Sequence, residues 1–303
     1  MSVKGKSTLL VTGASGQLGS RVVELLLEAQ VEPGRIIAAT RTPEKLDRFS
    51  QQGISVRYAS FDDHDSILKA FAGADRLLLI STDTVGAADY RLNQHRGAVK
   101  AAEEAGVKHI LYTSIVEATP TSAVILTADH YGTEQAMAES KMGYTALRNN
   151  IYADLQVFSL ARAIQMGQLF SAAGEGKAAY VMREDCARVA AVTLADEFEG
   201  RRSFDVTGPE ALSQADLAAL ASQISGKPVA YIPLPVEALI EGMVSAGLPR
   251  PAAEVYASFD VAIARGEFSK VSSTVESLTG RPPISMADLL AAHREQLLGV
   301  IAG

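Results

Sequence analysis

The sequence predicts an α/β fold built on a doubly wound parallel sheet, followed by a smaller helix-rich lobe. Short apolar segments alternate with helical patterns through residues 1–150, which is typical of parallel strands joined by right-handed crossovers. The first apolar segment runs directly into glycines that are spaced three apart. Beyond Asn149 the alternation gives way to a mainly helical pattern. We therefore expect one unit over residues 1–150 and the lobe over 151–303, with some strands of the lobe returning to the sheet.

The composition is that of an ordinary globular chain, and it limits the classes of partner. Of the 303 residues, 48% are hydrophobic and 21% are charged, which suits one large domain or two closely joined ones with a sizeable core. The net charge is −7 and the sequence holds no cluster of Lys or Arg. These features argue against nucleic acid and anionic membranes as partners.

The sequence also bears on the location of the protein and on metal binding. No apolar run is long enough to span a bilayer, and Met1–Ser7 is polar where a signal peptide would be apolar. We therefore expect a cytoplasmic protein, as a monomer or a homodimer. The five histidines show no ligand-like spacing, so no metal site is expected. The single cysteine, Cys186, falls in an Ala-rich helical pattern, and we expect it to fill space in the core.

Hydrophobic periodicity predicts the elements in order. The strands predicted for the sheet cover residues 9–12, 35–40, 54–60, 76–80, 109–113 and 144–148. The helices predicted between them cover residues 18–29, 43–52, a segment around 67–71, 94–105 and 131–140. The second half predicts helices over 151–166, 184–197, after a capping box at Ser213, over 235–265 with a break at Gly247–Pro249, and over 286–301, together with strands over 203–207 and 227–232 and an irregular arm over 167–179.

The turn after the first strand carries the three glycines. At a strand-to-helix turn Gly13 permits a tight bend, Gly16 lets backbone N–H groups approach a pyrophosphate, and Gly19 lets the helix pack close to the strand. The helix N-terminus adds partial positive charge for the anion. The pattern predicts a Rossmann-type dinucleotide site whose contacting residues are Gly13, Ser15, Gly16, Gln17, Leu18 and Gly19.

Residues after the following strands indicate which dinucleotide fits. An acid after the second strand would favour NAD, whereas Arg41 stands there and can pair with a 2′-phosphate, so NADPH is the expected cofactor. Asp62 follows the third strand and could accept the adenine amino group, although Asp62 or Asp63 could equally cap the next helix. Ser81 and Thr82 follow the fourth strand, at the edge that would face the cofactor.

Candidate catalytic residues follow the fifth and sixth strands, because ligands of such sheets bind outside the carboxyl ends of the strands. Ser114 and Asn149 stand at these places, and between them the run Asp129–Gln135 enters a helix with His130 and Tyr131. Ser114 could equally be a cap, and Asn149 could be part of a turn. His130 is kept as a candidate, although a capping histidine is more common than a catalytic one.

These motifs resemble the short-chain dehydrogenase/reductases. The glycine spacing is that of the family, and Tyr131–Gly132 with Glu139 resembles the Tyr-Gly-x-Ser-Lys-x-x-x-Glu run of its extended members, except that Gln135 stands in place of the lysine. More narrowly, the chain resembles the atypical NmrA-like branch, and within it the quinone and triphenylmethane reductases. The segments that carry this resemblance are Val11–Gly19, Leu77–Ser81, Ala105–Ile110, Tyr112–Ser114, Thr133–Glu134, Tyr144–Asn149, Gly247–Pro249 and Gly280–Pro282.

The resemblance implies that NADPH binds along Gly13–Gly19 with Arg41 on its phosphate. It also implies hydride transfer to a small, electron-poor and often flat substrate. In this branch the same region contributes a His and a Thr-Glu pair, so His130 and Glu134 match it while Tyr131 is an addition. Because the branch also contains a redox-sensing regulator that binds dinucleotide, an NAD(P)-sensing protein without turnover is the alternative expectation.

Gln135 bears on the direction of the reaction. A lysine beside a tyrosine lowers the phenol pKa from about 10, which matters when tyrosinate acts as the base in alcohol oxidation. The neutral Gln135 cannot provide that field, whereas reduction of a carbonyl needs only the neutral phenol. We therefore expect a reductase of ketones or quinones. In it Tyr131 donates a proton or hydrogen bond to the carbonyl oxygen, Ser114 is a second donor and Asn149 shapes the site near the nicotinamide.

Overall fold

A seven-stranded parallel sheet forms the centre of the molecule. The computed structural model describes residues 6–83 and 89–299. Its strands are β1 (Leu9–Val11), β2 (Ile36–Thr40), β3 (Ser55–Tyr58), β4 (Arg76–Leu79), β5 (His109–Ile115), β6 (Gly143–Asn149), β7 (Gln168–Ser171), β8 (Lys177–Ala178), β9 (Arg201–Val206), β10 (Leu212–Ser213) and β11 (Ala230–Pro233). The main sheet has the order β3-β2-β1-β4-β5-β6-β9, with parallel neighbours throughout. This confirms the predicted doubly wound fold class.

Helices cover both faces of this sheet. They are α1 (Gln17–Glu28), α2 (Asp47–Ser50), α3 (His64–Phe71), α4 (Tyr90–Glu104), α5 (Thr127–Glu139), α6 (Asp154–Met166), α7 (Arg183–Ala195), α8 (Gln214–Ser225), α9 (Val236–Ser245), α10 (Arg250–Ala264), α11 (Thr274–Thr279), α12 (Met286–Ala292) and α13 (Arg294–Leu297). Within the described residues, none of these helices is both long and apolar enough to cross a membrane.

The central strands are buried on both faces, which explains why their sequences are mainly apolar. Every residue of β1, β2, β4 and β5 is buried. One face packs against α1 and α7 in a core that includes Val22 and Cys186, and burial raises the pKa of the Cys186 thiol. The other face packs against α3, α4 and α5 in a core that includes Phe71 and Tyr112. The expectation of a core cysteine agrees with this placement.

The second half of the chain divides between the sheet and a lobe. Strand β9 pairs with β6, and α7 packs on α1, so residues 183–206 lie within the layers of the first unit. The rest has its own core, built around α6, α8, α12 and α13, with a parallel pair β7–β11 and an antiparallel pair β8–β10. The arm expected over 167–179 therefore contains two short strands.

Several predicted boundaries move. The helix expected over 43–52 is a 3-10 turn, Pro43–Leu46, followed by the four-residue α2. Helix α5 begins at Thr127, before the expected start at 131, because its polar first turn gives no apolar periodicity. The last predicted helix breaks at His293 into α12 and α13, and its expected end at Ile301 lies outside the described residues. The break at Gly247–Pro249 between α9 and α10 is confirmed.

Candidate cofactor and active site

A cleft of about 370 Å³ runs along the carboxyl ends of β1, β2 and β4. Glycines, hydroxyl groups and a few charged side chains line it: Thr12, Gly13, Ser15–Gly19, Ala39–Arg41, Ala59, Phe61, Asp62, Ile80–Asp83, Gln94 and Arg183. Every residue predicted to contact the cofactor is among these. The described residues bring no group of three His, Cys, Asp or Glu side chains together as a metal site.

The glycine turn closes one wall of the cleft. Gly13 has a φ of +58°, a conformation that favours glycine, and its carbonyl oxygen accepts from the Gly16 N–H at 2.9 Å. A Cβ at Gly19 would lie 2.4 Å from the Gly13 oxygen, so the turn and α1 approach too closely for any other residue. No side chain of the described residues caps the N-terminus of α1 at Gly16, and the first turn of this helix contains no acid. Its first N–H groups are therefore left for an anion.

A set of hydroxyl groups ties this turn to the end of β2. Ser15 Oγ lies 2.7 Å from Thr40 Oγ1, and Thr42 Oγ1 donates to Ser15 Oγ at 3.3 Å. Arg41 is exposed between these threonines and lines the same cleft. No described residue forms an ion pair with Arg41. Its guanidinium is thus placed to meet an anionic group beside the glycine turn.

The aspartates after β3 have different tasks. Asp63 caps α3, since its carboxylate accepts from the Ser66 N–H at 3.2 Å. Asp62 instead lines the cleft, and its Oδ1 accepts from the Tyr90 hydroxyl at 2.6 Å and from Gln94 Nε2 at 2.8 Å. These two hydrogen bonds, that of Tyr90 first, lower the pKa of Asp62. The capping alternative therefore applies to Asp63, and the adenine role of Asp62 stays a prediction.

Gln94 presents an unsatisfied acceptor at this end of the cleft. Its side-chain oxygen is buried and has no hydrogen-bond partner among the described residues, while its amide nitrogen donates to Asp62. A buried polar atom without a partner is costly in a folded protein. A bound nucleotide could donate a hydrogen bond to this oxygen and accept hydrogen bonds from the first turn of α1.

Side chains of α4 hold the segment after β4 in place. The Thr82 N–H donates to His95 Nε2 at 3.0 Å, and Arg91 Nε donates to the Thr82 carbonyl oxygen at 2.7 Å. The Ser81 N–H donates to Thr113 Oγ1 at 2.8 Å. Ser81 and Thr82 line the cleft as expected, and hydrogen bonds with buried side chains hold their backbone in place.

Beneath this segment lies a buried polar network that contains His130. Its Nε2 accepts from Arg91 Nη2 at 3.0 Å, so the ring proton is on Nδ1, which donates to the Tyr112 hydroxyl at 2.9 Å. Burial and then the charge of Arg91 lower the pKa of His130 well below its ordinary value, which keeps it neutral. Both ring nitrogens are engaged, and His130 is not among the cleft residues. The geometry gives no support for His130 as a general acid or base.

Ser114 is also occupied. Its hydroxyl donates to Glu134 Oε1 at 2.6 Å, and Arg148 holds the same carboxylate through bonds of 3.0 and 2.6 Å. Ser114 and Glu134 are both buried. The proton of Ser114 therefore points to Glu134 and away from any substrate, and the geometry does not favour Ser114 as a second donor.

The side chains of Tyr131 and Asn149 each keep a polar atom that has no hydrogen-bond partner among the described residues. Tyr131 is half-buried on α5, and its hydroxyl forms no hydrogen bond with the described residues. Asn149 ends β6, where its Nδ2 donates to the Tyr152 hydroxyl at 3.2 Å, and its buried Oδ1 has no partner in the described part of the chain. Neither lines the cleft itself. Their roles stay predictions.

Other contributors were missed by sequence reasoning. Tyr90, Arg91 and His95 act around the cleft from α4, and Arg183 lines it from α7. Gln94, which also lines the cleft, lay in a predicted helix, but helical periodicity does not indicate which polar side chains turn toward a ligand. Arg183 follows the first strand by more than one hundred residues, so only tertiary contacts bring it to the glycine turn.

Comparison with known proteins agrees with this geometry. Quinone oxidoreductase 2 of Escherichia coli is 36% identical over 280 residues, which are 92% of this chain and 96% of that protein. The crystal structure of the NADPH-dependent quinone oxidoreductase QOR2 from Escherichia coli, complexed with NADPH, matches with a TM-score of 0.88 and 36% identity over 93% of this chain and 98% of that one.

A second solved structure is similar to the same extent. The triphenylmethane reductase of Citrobacter sp., complexed with NADP(H), matches with a TM-score of 0.87 and 35% identity over 93% of this chain and 99% of that one. The family model described as the NmrA-like family matches residues 5–279. The chain therefore belongs to the NmrA-like family.

Proposed function

We propose that this protein is an NADPH-dependent oxidoreductase that reduces small, electron-poor substrates such as quinones or ketones. The observation that carries the proposal is the presence of Arg41 and the uncapped N-terminus of α1 in one cleft. An arginine at the end of the second strand favours a 2′-phosphate, and a helix N-terminus favours a diphosphate. The similar proteins of Escherichia coli and Citrobacter sp., crystallised with NADPH or NADP(H), support the choice.

The residues present fit such a cofactor. The Gly13–Gly19 turn admits close backbone approach, and the oxygens of Asp62 and Gln94 suit an amino group at the adenine end. When bound, the reduced nicotinamide supplies a hydride. Thr82, whose backbone is held by His95 and Arg91, forms part of the wall of the cleft that would hold the cofactor.

Reduction of a carbonyl also needs a proton, which comes either from a side chain of the protein or from water. Tyr131 can donate a proton or hydrogen bond to a carbonyl oxygen, because its hydroxyl has no acceptor among the described residues. Gln135 is exposed on the same helix and carries no charge that would favour tyrosinate. This arrangement supports reduction over oxidation.

One observation favours the alternative, an NAD(P)-sensing protein without turnover. The protons of Ser114 and His130, two of the candidate catalytic groups, are directed to other side chains. A cytoplasmic location, a monomeric or homodimeric state and the lack of a nucleic acid partner stay predictions from the sequence.

A single assay distinguishes the two functions. The purified protein is mixed with NADPH or NADH and a panel of quinones, activated ketones and a cationic triphenylmethane dye, and the absorbance of the reduced nicotinamide is followed. We expect NADPH to be oxidised faster than NADH with quinones. Tight binding of NADPH without oxidation by any acceptor would establish the sensor instead.

A further inference from the structure

Arg183, the first residue of α7, stands at the edge of the cofactor cleft. The residue after it, Glu184, receives bonds of 2.7 and 3.0 Å from Arg21 of α1. Arg21 also donates to Glu28 of its own helix at 2.6 Å. The Arg21–Glu184 ion pair therefore holds the start of α7 against α1, the helix that follows the glycine turn. The backbone of Arg183 is fixed as well, since its N–H donates to Asp154 Oδ2 at 2.9 Å.

The side chain of Arg183 is oriented but leaves its donors unused. Its guanidinium lies over the ring of Tyr152, 5.1 Å from the ring centre, and Tyr152 is held in turn by the amide of Asn149. The nearest carboxylate oxygen, on Asp154, is 3.8 Å from Nη1, too far for a hydrogen bond. A guanidinium carries five N–H donors. No described residue accepts a hydrogen bond from those of Arg183.

The positive charges of the cleft also bear on the role of Arg183. Among the described residues that line the cleft, the cations are Arg41 and Arg183. NADPH carries phosphate in two places, the 2′-phosphate of the adenosine and the diphosphate in the middle of the molecule. Arg41 follows β2, where the 2′-phosphate is expected, whereas Arg183 is attached through Glu184 and Arg21 to the helix whose N-terminus faces the diphosphate.

We propose that Arg183 binds the diphosphate of the cofactor, with Tyr152 and Asn149 as the residues that position it. The assignment rests on the proposed NADPH function. The assignment also gives Asn149 an indirect role. Its amide holds the ring of Tyr152, and the guanidinium of Arg183 packs on that ring.

Nucleotide fragments test the assignment without any turnover. Titration calorimetry compares NADPH, ADP-ribose and 2′-AMP on the wild-type protein and on Arg183→Ala, Arg183→Lys and Arg41→Ala. We expect Arg183→Ala to weaken ADP-ribose and NADPH about tenfold to hundredfold and to leave 2′-AMP within about twofold, with partial recovery in Arg183→Lys. Arg41→Ala should show the reverse, with 2′-AMP weakened and ADP-ribose unchanged.

Arg48→Ala is the matched control, because Arg48 is an exposed cation that contacts α1 through Glu24 and lies outside the cleft. It should change none of the three affinities. Unchanged ADP-ribose binding in Arg183→Ala would overturn the assignment, as would an equal loss of 2′-AMP, since either result removes the specific link to the diphosphate. Absence of ADP-ribose binding by the wild type would also overturn it.

Failure of the reductase function is a separate result. A protein that binds the fragments with this pattern but oxidises no NADPH retains the Arg183 assignment and loses the reductase. In an active protein, Arg183→Ala should raise the KM for NADPH while kcat with saturating NADPH changes less than threefold. Cooperative thermal unfolding of each variant confirms that it is folded.

Discussion

Arg91 Nε donates to the carbonyl oxygen of Thr82 at 2.7 Å, so a buried cation of α4 holds the backbone of the cofactor cleft. The same guanidinium donates to His130 and approaches the carboxylate of Asp129 at 3.3 Å. A buried charge is tolerated when partners surround it in this way. The stability of the core and the shape of the cleft are therefore linked through one side chain.

Arg91→Ala should damage both properties. The change leaves the Thr82 oxygen and His130 Nε2 without their donor, and each lost buried partner costs about 1–3 kcal/mol. We expect urea unfolding to show a loss of about 3 kcal/mol and NADPH titration to show weaker binding. Lys100→Ala, at an exposed position of the same helix, serves as the control and should change neither quantity measurably. A wild-type affinity in a folded Arg91→Ala protein would contradict the link.

Arg41→Ala should remove the preference for NADPH. The exposed guanidinium has no ion pair among the described residues, so its loss disturbs little else. We expect kcat/KM for NADPH to fall about tenfold to hundredfold, because a hydrogen bond between charged groups contributes about that much to binding. The value for NADH should stay within about threefold of the wild type. Steady-state kinetics with both cofactors check this. An equal loss for both would show that Arg41 does not read the 2′-phosphate.

Gly19→Ala should disrupt the glycine turn. Its Cβ would lie 2.4 Å from the Gly13 oxygen, so the helix must move away from the turn. We expect a loss of about 1–3 kcal/mol in the free energy of unfolding and weaker NADPH binding. Gly97→Ala is the matched control, since Gly97 lies in α4 and no atom of the described residues lies within 4 Å of the place a Cβ would take. That change should stabilise the helix by about 0.5–1 kcal/mol and leave binding intact.

Buried histidines should make the fold sensitive to mild acid. Burial lowers the pKa of His95 and of His109 to about 3, from an ordinary value of 6.5. Because the folded-state pKa is the lower one, the unfolded chain binds the proton first as the pH falls. Their stabilisation is complete above pH 6.5 and is lost between about 6.5 and 3, by up to about 1.4 kcal/mol per pH unit for each histidine.

Urea unfolding between pH 7.5 and pH 5 (about two and a half units) measures this loss. The same measurement on His64→Gln, which removes an exposed histidine, is the control for the loss of a histidine at the surface. A free energy of unfolding that stays level across the interval would show that the buried histidines are not held neutral.

Tyr131→Phe tests the proposed proton donor. A positioned general acid contributes about a hundredfold or more, so ketone reduction should fall by at least tenfold while NADPH affinity is unchanged. Tyr256→Phe alters an exposed tyrosine of α10 and should leave the rate as it is. Full ketone and quinone reductase activity in Tyr131→Phe would assign the proton to water.

Much of the cofactor site could be predicted from the sequence. The positions that line the cleft next to the glycine turn follow from local rules: an apolar strand, glycine spacing, and the residue that ends the next strand. Such contacts lie within a few residues of an element whose type is visible in the sequence. Arg41, Ser81 and Thr82 are accordingly expected in the cleft, and they line it.

The catalytic candidates follow the same rule and are less secure, because what a side chain does depends on its neighbours. Ser114 and His130 occupy the expected places on β5 and α5, but Glu134 takes the proton of one and Arg91 and Tyr112 occupy the ring of the other. Partners that lie 18 to 39 residues away in sequence cannot be identified from periodicity.

By itself the sequence determined the sheet, the glycine turn and the identity of the residue after each strand, because hydrophobic alternation and glycine conformation act locally. Only the tertiary structure decided which polar groups share hydrogen bonds across elements. It set Arg183 beside the glycine turn by packing α7 on α1, and it joined α4 to Thr82 through Arg91. These pairings depend on long-range packing, where burial makes every unpartnered donor or acceptor costly.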